Sequence, residues 1–170
     1  YLNTGTSRFL EVASLAGVVS SNWSWSANFA DLDNDGRVDL LINNGMSRSF
    51  MDSDVTTSFD TDDLLGKTEW ERFAQQPTLR EQNLGFRNLG DLQFENFSKR
   101  WGVDHVGMSF GAAISDLDRD GDLDLVVANL DEPVSLYRNR GTGGHRVLVQ
   151  LKGRKSNRFG IGATVRLESN

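Results

Sequence analysis

One acidic loop occurs twice in this chain, and each copy runs directly into a short apolar segment. The copies are residues 31–39, DLDNDGRVD, and residues 116–124, DLDRDGDLD. Each copy has aspartate at loop positions 1, 3, 5 and 9 and glycine at position 6, where a tight turn directs several oxygens at one point. Four carboxylates so close together repel one another unless a cation lies between them. The pattern therefore predicts a cation in each loop.

Calcium is the cation that these loops favour. Ca²⁺ accepts about 6–8 oxygen ligands with tolerant geometry, whereas Mg²⁺ requires a near-ideal octahedron and keeps several waters. We predict two Ca²⁺ sites, each with four aspartate side chains and one backbone carbonyl as ligands. The first set is Asp31, Asp33, Asp35, Asp39 and the backbone carbonyl of Arg37. The second set is Asp116, Asp118, Asp120, Asp124 and the backbone carbonyl of Asp122.

Two other interpretations of the loops fit less well. An EF-hand requires a bidentate Glu at position 12 and flanking helices, but Ile42 and Val127 occupy that position. An ordinary Asp-Gly turn explains one copy more easily than two copies with the same carboxylate spacing. Residues 38–42 and 123–127 are apolar and rich in β-branched side chains, which predicts buried strands. Each loop is therefore predicted to connect two strands, and we expect the two sites, on separate blades, to act independently.

The loops belong to a longer internal repeat. At the loop spacing of 85 residues, Asn3 aligns with Asn88 and Phe9 with Phe94, and a third start, YRNRG, follows at residues 137–141. Four short strands per repeat, with turns between them, are typical of a β-propeller blade. We predict an all-β chain of β-propeller-type blades. Blade 1 is residues 1–85 with an insert at 46–85, blade 2 is 86–136, and the start of a third blade is 137–142.

The insert carries the signature of a short helix. Thr68 and Glu71 have the spacing of a capping box, and Pro77 marks a stop. Trp70 and Phe73 share one face of this helix, which we expect to pack on the neighbouring blade. The alternative is that an insert on a propeller face binds a partner.

The last segment, residues 143–170, differs from the repeats. Alternating apolar residues at 147–151 and 163–167 predict two strands of a C-terminal β module. The loop between them carries Lys152, Arg154, Lys155 and Arg158. Four basic residues on such a loop are more often solvated than part of a polyanion site.

Charge and composition exclude several functions. The net charge is -6, but the two loops hold nine of the 24 acidic residues, and the rest of the chain has 15 acidic and 16 basic residues, so nothing favours binding to nucleic acid. The chain has no cysteine and no apolar run near the roughly 18 residues of a membrane span. The chain starts with Tyr1 instead of an initiator methionine and shows no signal-peptide pattern at its start, so we expect a processed or excerpted chain. Of the N-glycosylation sequons at Asn22 and Asn96, we expect at most one to be used.

Two motifs resemble known families. Phe110-Gly111-Ala112, followed by the second acidic loop, resembles the FG-GAP/VCBS repeats of integrin α-subunit propellers and of many secreted bacterial proteins. HRVLVQLKG at residues 145–153 and SNRFGIGA at 156–163 resemble the ASPIC/UnbV module of cartilage acidic protein and its bacterial relatives. The resemblance implies part of a propeller of about seven blades over residues 1–142 and a partial ASPIC/UnbV-like module over 143–170. It also implies that the aspartates named above bind calcium.

The function implied is a non-enzymatic, calcium-stabilised scaffold that binds other protein subunits or the remaining blades of its own protein. Such loops suit millimolar calcium, so we expect a secreted, periplasmic or cell-surface location. His105 and His145 lie in separate segments without a paired motif, and no catalytic constellation is recognisable. The alternative is a propeller that binds or degrades polysaccharide, with Trp23, Trp25 or Trp101 stacking on sugar rings. Buried blade aromatics are the simpler interpretation of these tryptophans.

Overall fold

A computed structural model describes residues 1–49, 53, 66–141, 147, 149–155 and 157–168. Within these ranges the strands are β1 (Leu2–Asn3), β2 (Phe9–Leu10), β3 (Ser24–Ala30), β4 (Asp39–Asn44), β5 (Glu81–Gln82), β6 (Leu84–Gly90), β7 (Gln93–Asn96), β8 (Val106–Gly107), β9 (Ser109–Ser115), β10 (Asp124–Asn129) and β11 (Ser135–Tyr137). The helices are α1 (Glu69–Gln75) and α2 (Ser98–Trp101). In this part of the chain no helix is long and apolar enough to cross a membrane. The predicted all-β class is confirmed.

Two antiparallel sheets dominate the fold. Sheet I has the order β3-β4-β6-β7, and sheet II has the order β11-β10-β9. The small pairs β1–β2 and β5–β8 complete the pairing. The first acidic loop connects β3 to β4 and the second connects β9 to β10, so each loop lies between strands as predicted. Sheet I, with four antiparallel strands, has the pattern of a propeller blade.

The sheets are offset from the sequence repeats. The predicted boundary between residues 85 and 86 falls inside β6, and β6 pairs with β4 through Leu40 opposite Phe86. Sheet I therefore takes two strands from each of two successive repeats, and the predicted bounds, which follow the sequence repeats, stay a prediction. The repeat marks the period of the motifs, whereas hydrogen bonding between repeats sets the edges of the sheets.

The core lies on both faces of β4, which is buried along its whole length. Leu41, 1% exposed, faces sheet II and packs with Val103, Leu125 and Val127. Leu40 and Ile42 point the other way and form a second cluster with Phe86, against which Val18 and Phe94 pack. Full burial of each such side chain stabilises the fold by about 1.5–3 kcal/mol. Sheet I therefore packs one face against sheet II and carries a second apolar cluster on its other face.

A chain of polar contacts joins the two sheets at the ends of the hairpins away from the acidic loops. The Ser24 hydroxyl donates to Asn44 Oδ1 at 2.8 Å, and the Ser109 hydroxyl donates to Asn129 Oδ1 at 2.8 Å. Asn83 links these two bonds, because its Oδ1 accepts from the Asn44 amide at 2.9 Å and its Nδ2 donates to the Ser109 hydroxyl at 2.8 Å. We call this arrangement the Ser-Asn clasp. It fixes the register of both hairpins at the end opposite the acidic loops.

The predicted helix of the insert is confirmed, including its cap. The Thr68 side chain accepts from the Glu71 amide at 3.2 Å, and Glu71 Oε2 accepts from the Thr68 amide at 2.7 Å. α1 buries none of its residues, and Trp70 is 72% exposed with its ring stacked on Phe73 at 5.6 Å. The expected packing of this face on a neighbouring blade is therefore not found among the described residues. Residues 50–52 and 54–65 of the insert lie outside them.

The C-terminal segment differs from the prediction. The described residues of 147–151 and 163–167 form no strand, and Val165 and Leu167 are 48% and 69% exposed. Alternation alone does not make a strand where the described chain offers no partner. Instead Asn157 closes a turn, accepting from the Ile161 amide at 2.6 Å and donating to the Ile161 carbonyl at 2.9 Å.

Candidate metal centres

Each acidic loop brings three carboxylates together. The ligand oxygens within a cluster lie within 4.8 Å of one another. The first cluster is Asp31, Asp33 and Asp39. The second cluster is Asp116, Asp118 and Asp120. The first cluster is the more enclosed, because Asp39 is buried, whereas Asp118 and Asp120 in the second are exposed.

Backbone amides shape the start of each loop. Asp31 accepts from the Asp35 amide at 3.1 Å and from the Gly36 amide at 2.9 Å, and Asp116 accepts from the Gly121 amide at 3.0 Å. These bonds need the chain to turn sharply at position 6, where the φ angles of Gly36 and Gly121 are 84° and 91°. Only glycine adopts such angles without strain. The predicted role of the glycine in the turn is confirmed.

The aspartate at position 9 holds the loop closed. Asp39 Oδ2 accepts from the Leu32 amide and Asp39 Oδ1 from the Asn88 amide, both at 2.9 Å. The second loop repeats the bond to Oδ2, since Asp124 accepts from the Leu117 amide at 2.9 Å. Position 9 therefore ties the start of its own loop to the strand that begins with it.

The two equivalent aspartates have opposite pKa shifts. Burial raises the pKa of Asp39, and the nearby charges of Asp33 and Asp35 raise it further, against the two backbone hydrogen bonds. For Asp124 the hydrogen bonds from Leu117 and from the Asn139 amide dominate and lower the pKa. The first cluster thus holds negative charge at a cost, which a bound cation would remove.

Within the described part of the chain, one buried oxygen in each cluster has no hydrogen-bond partner. These atoms are Asp33 Oδ1 and Asp116 Oδ1. A buried carboxylate oxygen without a donor costs about 1–3 kcal/mol or more, so such atoms are rare. The clusters offer only carboxylate oxygens, the ligands that hard cations such as Ca²⁺ prefer. The residues present therefore fit a calcium ion in each loop.

Two of the predicted side-chain ligands lie outside the clusters. Asp35 turns toward two guanidinium groups, with its Oδ2 at 2.6 Å from Arg37 Nη2 and at 3.1 Å from Arg87 Nη2. Asp124 is held by backbone amides and is absent from the second cluster. The carbonyls of Arg37 and Asp122 as ligands stay predictions.

Sequence reasoning missed an Arg-Asn pair beside each loop. Arg87 Nε lies 2.5 Å from Asp33 Oδ2, and Arg138 Nη2 lies 2.6 Å from Asp118 Oδ2. The asparagine that follows each arginine, Asn88 or Asn139, donates its backbone amide to the aspartate at position 9. The sequence does contain a signal for these pairs, because both belong to the aromatic-Arg-Asn-x-Gly motif that marks a repeat start. Its structural role is to neutralise and clamp the preceding acidic loop.

The two loops touch each other. Asn34 Nδ2 donates to Asp122 Oδ1 at 2.6 Å, and Asn139 Nδ2 donates to the Leu32 carbonyl at 2.6 Å. The two sheets pack so that one loop lies beside the other. The expectation that location on separate blades makes the two sites independent therefore lacks its physical basis.

The tryptophans are divided between core and surface. Trp101 packs against the cluster between the sheets, as a blade aromatic should. Trp25 is 48% exposed, its ring lies 4.8 Å from that of Phe110, and its Nε1 donates to the Gly45 carbonyl at 2.5 Å. A bulge in β3 between Ser24 and Ser26 interrupts the strand register at Trp25.

Comparison with known families agrees with the repeats. The model of the FG-GAP-like repeat matches residues 1–42 and 116–164, just over half of the chain, and includes both acidic loops. Its second part runs through most of the segment whose sequence resembles the ASPIC/UnbV module. No curated protein sequence matches the chain significantly. With its antiparallel sheets and its paired acidic loops, this chain belongs to the FG-GAP-like repeat family.

Proposed function

We propose that this chain is a calcium-binding, non-enzymatic scaffold for protein-protein interaction that works outside the cytoplasm, in a secreted, periplasmic or cell-surface protein. FG-GAP repeats build propeller-type domains that generally mediate protein interactions. The observation that carries the calcium proposal is the pair of equivalent carboxylate clusters, each with one buried oxygen that lacks a donor. The C-terminal ASPIC/UnbV resemblance remains part of this proposal.

The ions would be held by the side chains of each cluster. Asp31, Asp33 and Asp39 would bind the first ion, with Asp35 and the Arg37 carbonyl completing the shell. The second shell would be built from Asp116, Asp118 and Asp120, with Asp124 and the Asp122 carbonyl. Bound calcium would connect successive strands of one sheet and would replace the missing donors at the buried oxygens.

Calorimetric titration with calcium tests this directly. We expect two sites in the unchanged chain, and Asp31→Asn or Asp116→Asn should each remove one, because each replaces a cluster carboxylate with a weaker amide ligand. Asp91→Asn is the control, since Asp91 is exposed and outside both loops. Absence of binding, or two sites left in both loop variants, would contradict the proposal.

The interaction surface is the outer face of sheet II. Leu41 in sheet I faces the next sheet and is 1% exposed. Val126 aligns with Leu41 in the repeat, and its cross-strand neighbour Leu136 is 69% exposed. Sheet II covers the face of sheet I that carries Leu41. The equivalent face of sheet II, which carries Val126 and Leu136, has no covering sheet among the described residues. Another blade or a partner subunit would bury it, because exposed apolar sheet faces favour association.

Light scattering of the unchanged chain and of Leu136→Asp tests the surface. The unchanged chain should associate with itself or copurify with a partner, and Leu136→Asp should reduce this. Leu15→Asp is the control, since Leu15 is 62% exposed but lies outside sheet II. A monodisperse monomer of the unchanged chain with a cooperative melt would refute the proposal that this face is an interaction surface.

Polysaccharide binding or degradation is the second candidate, and the exposed Trp25 ring beside Phe110 is the observation in its favour. A glycan panel assayed for both binding and turnover distinguishes it from the scaffold. Binding lost in Trp25→Ala would support the second candidate, and turnover by the unchanged chain would refute a non-enzymatic function.

A further inference from the structure

We propose that the two calcium sites are coupled, with Asn34 as the residue that transmits binding at one loop to the other. This inference rests on the proposed calcium function. The inference adds that the two sites respond to calcium cooperatively and not separately.

Asn34 is placed to sense the first site. It stands at loop position 4, between Asp33 and Asp35, and its φ of 57° holds it in the left-handed region that asparagine tolerates. Any ion that fixes the neighbouring carboxylates also fixes the backbone from which the Asn34 side chain projects. The position of its amide group therefore depends on the state of the first loop.

The amide group of Asn34 meets a confined residue of the second loop. Its Nδ2 donates to Asp122 Oδ1 at 2.6 Å, and Asp122 is 2% exposed. On the other side Gly141 leaves no space, because a Cβ added there would overlap the Asp122 carboxylate. The Asp122 side chain is thus confined between Asn34 and Gly141, and the same residue supplies the backbone carbonyl that is a predicted ligand of the second ion.

Asn139 provides a parallel contact. Its backbone amide donates to Asp124 Oδ1 at 2.9 Å, and its Nδ2 donates to the Leu32 carbonyl at 2.6 Å. Its repeat counterpart Asn88 donates its side chain to Val38, inside the first loop. Asn139 makes the equivalent bond to the Leu123 carbonyl at 3.3 Å, so the same side chain contacts both loops.

The coupling is positive because calcium in one loop also lowers the conformational entropy that the other loop must lose when it binds its ion. Calcium in the first loop orders Asn34 and the Leu32 carbonyl, which hold Asp122 and Asn139, so the second ion binds a loop that is already ordered. Repulsion between two Ca²⁺ ions opposes this coupling whatever the fixed charges around them. Coupling between sites is typically about 5–150-fold in affinity, and we expect the low end, about fivefold.

Calorimetry on the full chain with calcium alone measures the coupling. Asp31→Asn, with its first site disabled, reports the affinity of the second site alone, and the second site of the unchanged chain should be about fivefold tighter. Asn34→Gly keeps the left-handed backbone and removes the donor, so its coupling should fall below that of the unchanged chain, while the Asn139 contact remains. Arg119→Gly is the matched control at position 4 of the second loop, with φ of 64° and no described hydrogen bond to the first loop, and it should retain the coupling.

Amide hydrogen exchange without calcium gives a second readout. Asn34→Gly should speed exchange at Gly121 and Asp122 in the other loop, whereas Arg119→Gly should leave Asp35 and Gly36 unchanged. Two sites of independent affinity in the unchanged chain, or equal coupling in Asn34→Gly, would refute the coupling and leave the calcium proposal standing. No calcium binding in the unchanged chain would refute both.

Discussion

Removal of calcium should lower the thermal stability of this chain by an amount that follows from its two clusters. A ligand that binds only the native state stabilises it by RT ln(1 + [L]/Kd). With a Kd of about 10–100 µM in about 1 mM Ca²⁺, each site contributes roughly 1.4–2.7 kcal/mol. The structure has two such clusters, one between β3 and β4 and one between β9 and β10, so the two contributions, before any coupling between the sites, sum to about 3–5 kcal/mol.

This free energy corresponds to a measurable shift. For a chain of 170 residues, 1 kcal/mol changes the melting temperature by about 2–4 °C, so chelation should lower it by roughly 6–20 °C. The buried oxygens of Asp33 and Asp116 that lack donors would lose their partner at the same time. The fall in melting temperature should therefore be largest when both sites lose their ions.

Circular dichroism during heating is a suitable assay. The melt is recorded in calcium, again in excess EDTA, and a third time after calcium is restored. Magnesium at the same concentration is the control and should restore little, because it keeps its waters and requires an octahedral site. An unchanged melt in EDTA would show that the loops are plain turns and would refute the reasoning.

Three further predictions concern the core, an arginine and an acidic contact. Leu41→Ala should lower the free energy of unfolding, measured in urea, by about 2–5 kcal/mol, because Leu41 is 1% exposed between the sheets. The exposed Leu136 is the control, and Leu136→Ala should lower it by less than about 0.5 kcal/mol. Equal losses in the two variants would contradict the described packing. Arg87→Gln removes a guanidinium from the first cluster, so the metal-free chain should melt earlier and chelation should cause a larger shift; a shift of unchanged size would count against this role. The hydrogen bond from Arg80 lowers the pKa of Glu132 below its ordinary value of 4.5, so this carboxylate stabilises the fold above that pH and the contribution is lost as the pH falls through the lowered pKa. Glu132→Gln should therefore flatten the acid limb of unfolding midpoint against pH, and an unaltered limb would refute the contact.

The local features of this chain could be predicted from the sequence because each depends on a few neighbouring residues. The glycine at position 6, the capping box at Thr68 and the buried strand at β4 all follow from short-range patterns. The spacing also predicted that carboxylates of each loop lie close together, although Asp35 and Asp124 turn to other partners. Arg37 and the Leu117 amide are local partners, whereas Arg87 is 52 residues from Asp35 and is signalled only by the motif that starts the next repeat.

The features that sequence reasoning missed depend on contacts between distant segments. The edge of sheet I runs through a repeat boundary because β6 pairs with β4. The alternation at residues 163–167 predicts a strand, but the described chain provides no neighbouring strand to pair with it. The contact of Asn34 with Asp122 spans 88 residues, and asparagine at that position has a sufficient local explanation in its left-handed backbone.

The Ser-Asn clasp has a consequence for how such a chain can change over time. The clasp fixes the register of the two strands of each hairpin at the end away from the carboxylates, so the register does not depend on the metal ligands alone. Mutations that remove the aspartates at positions 1, 3 or 5 would cost metal affinity but would leave the clasp and the bonds of the aspartate at position 9 in place. Gain or loss of calcium is thus separable from inheritance of the blade, and descendants of one repeat can lose the ion while keeping the architecture.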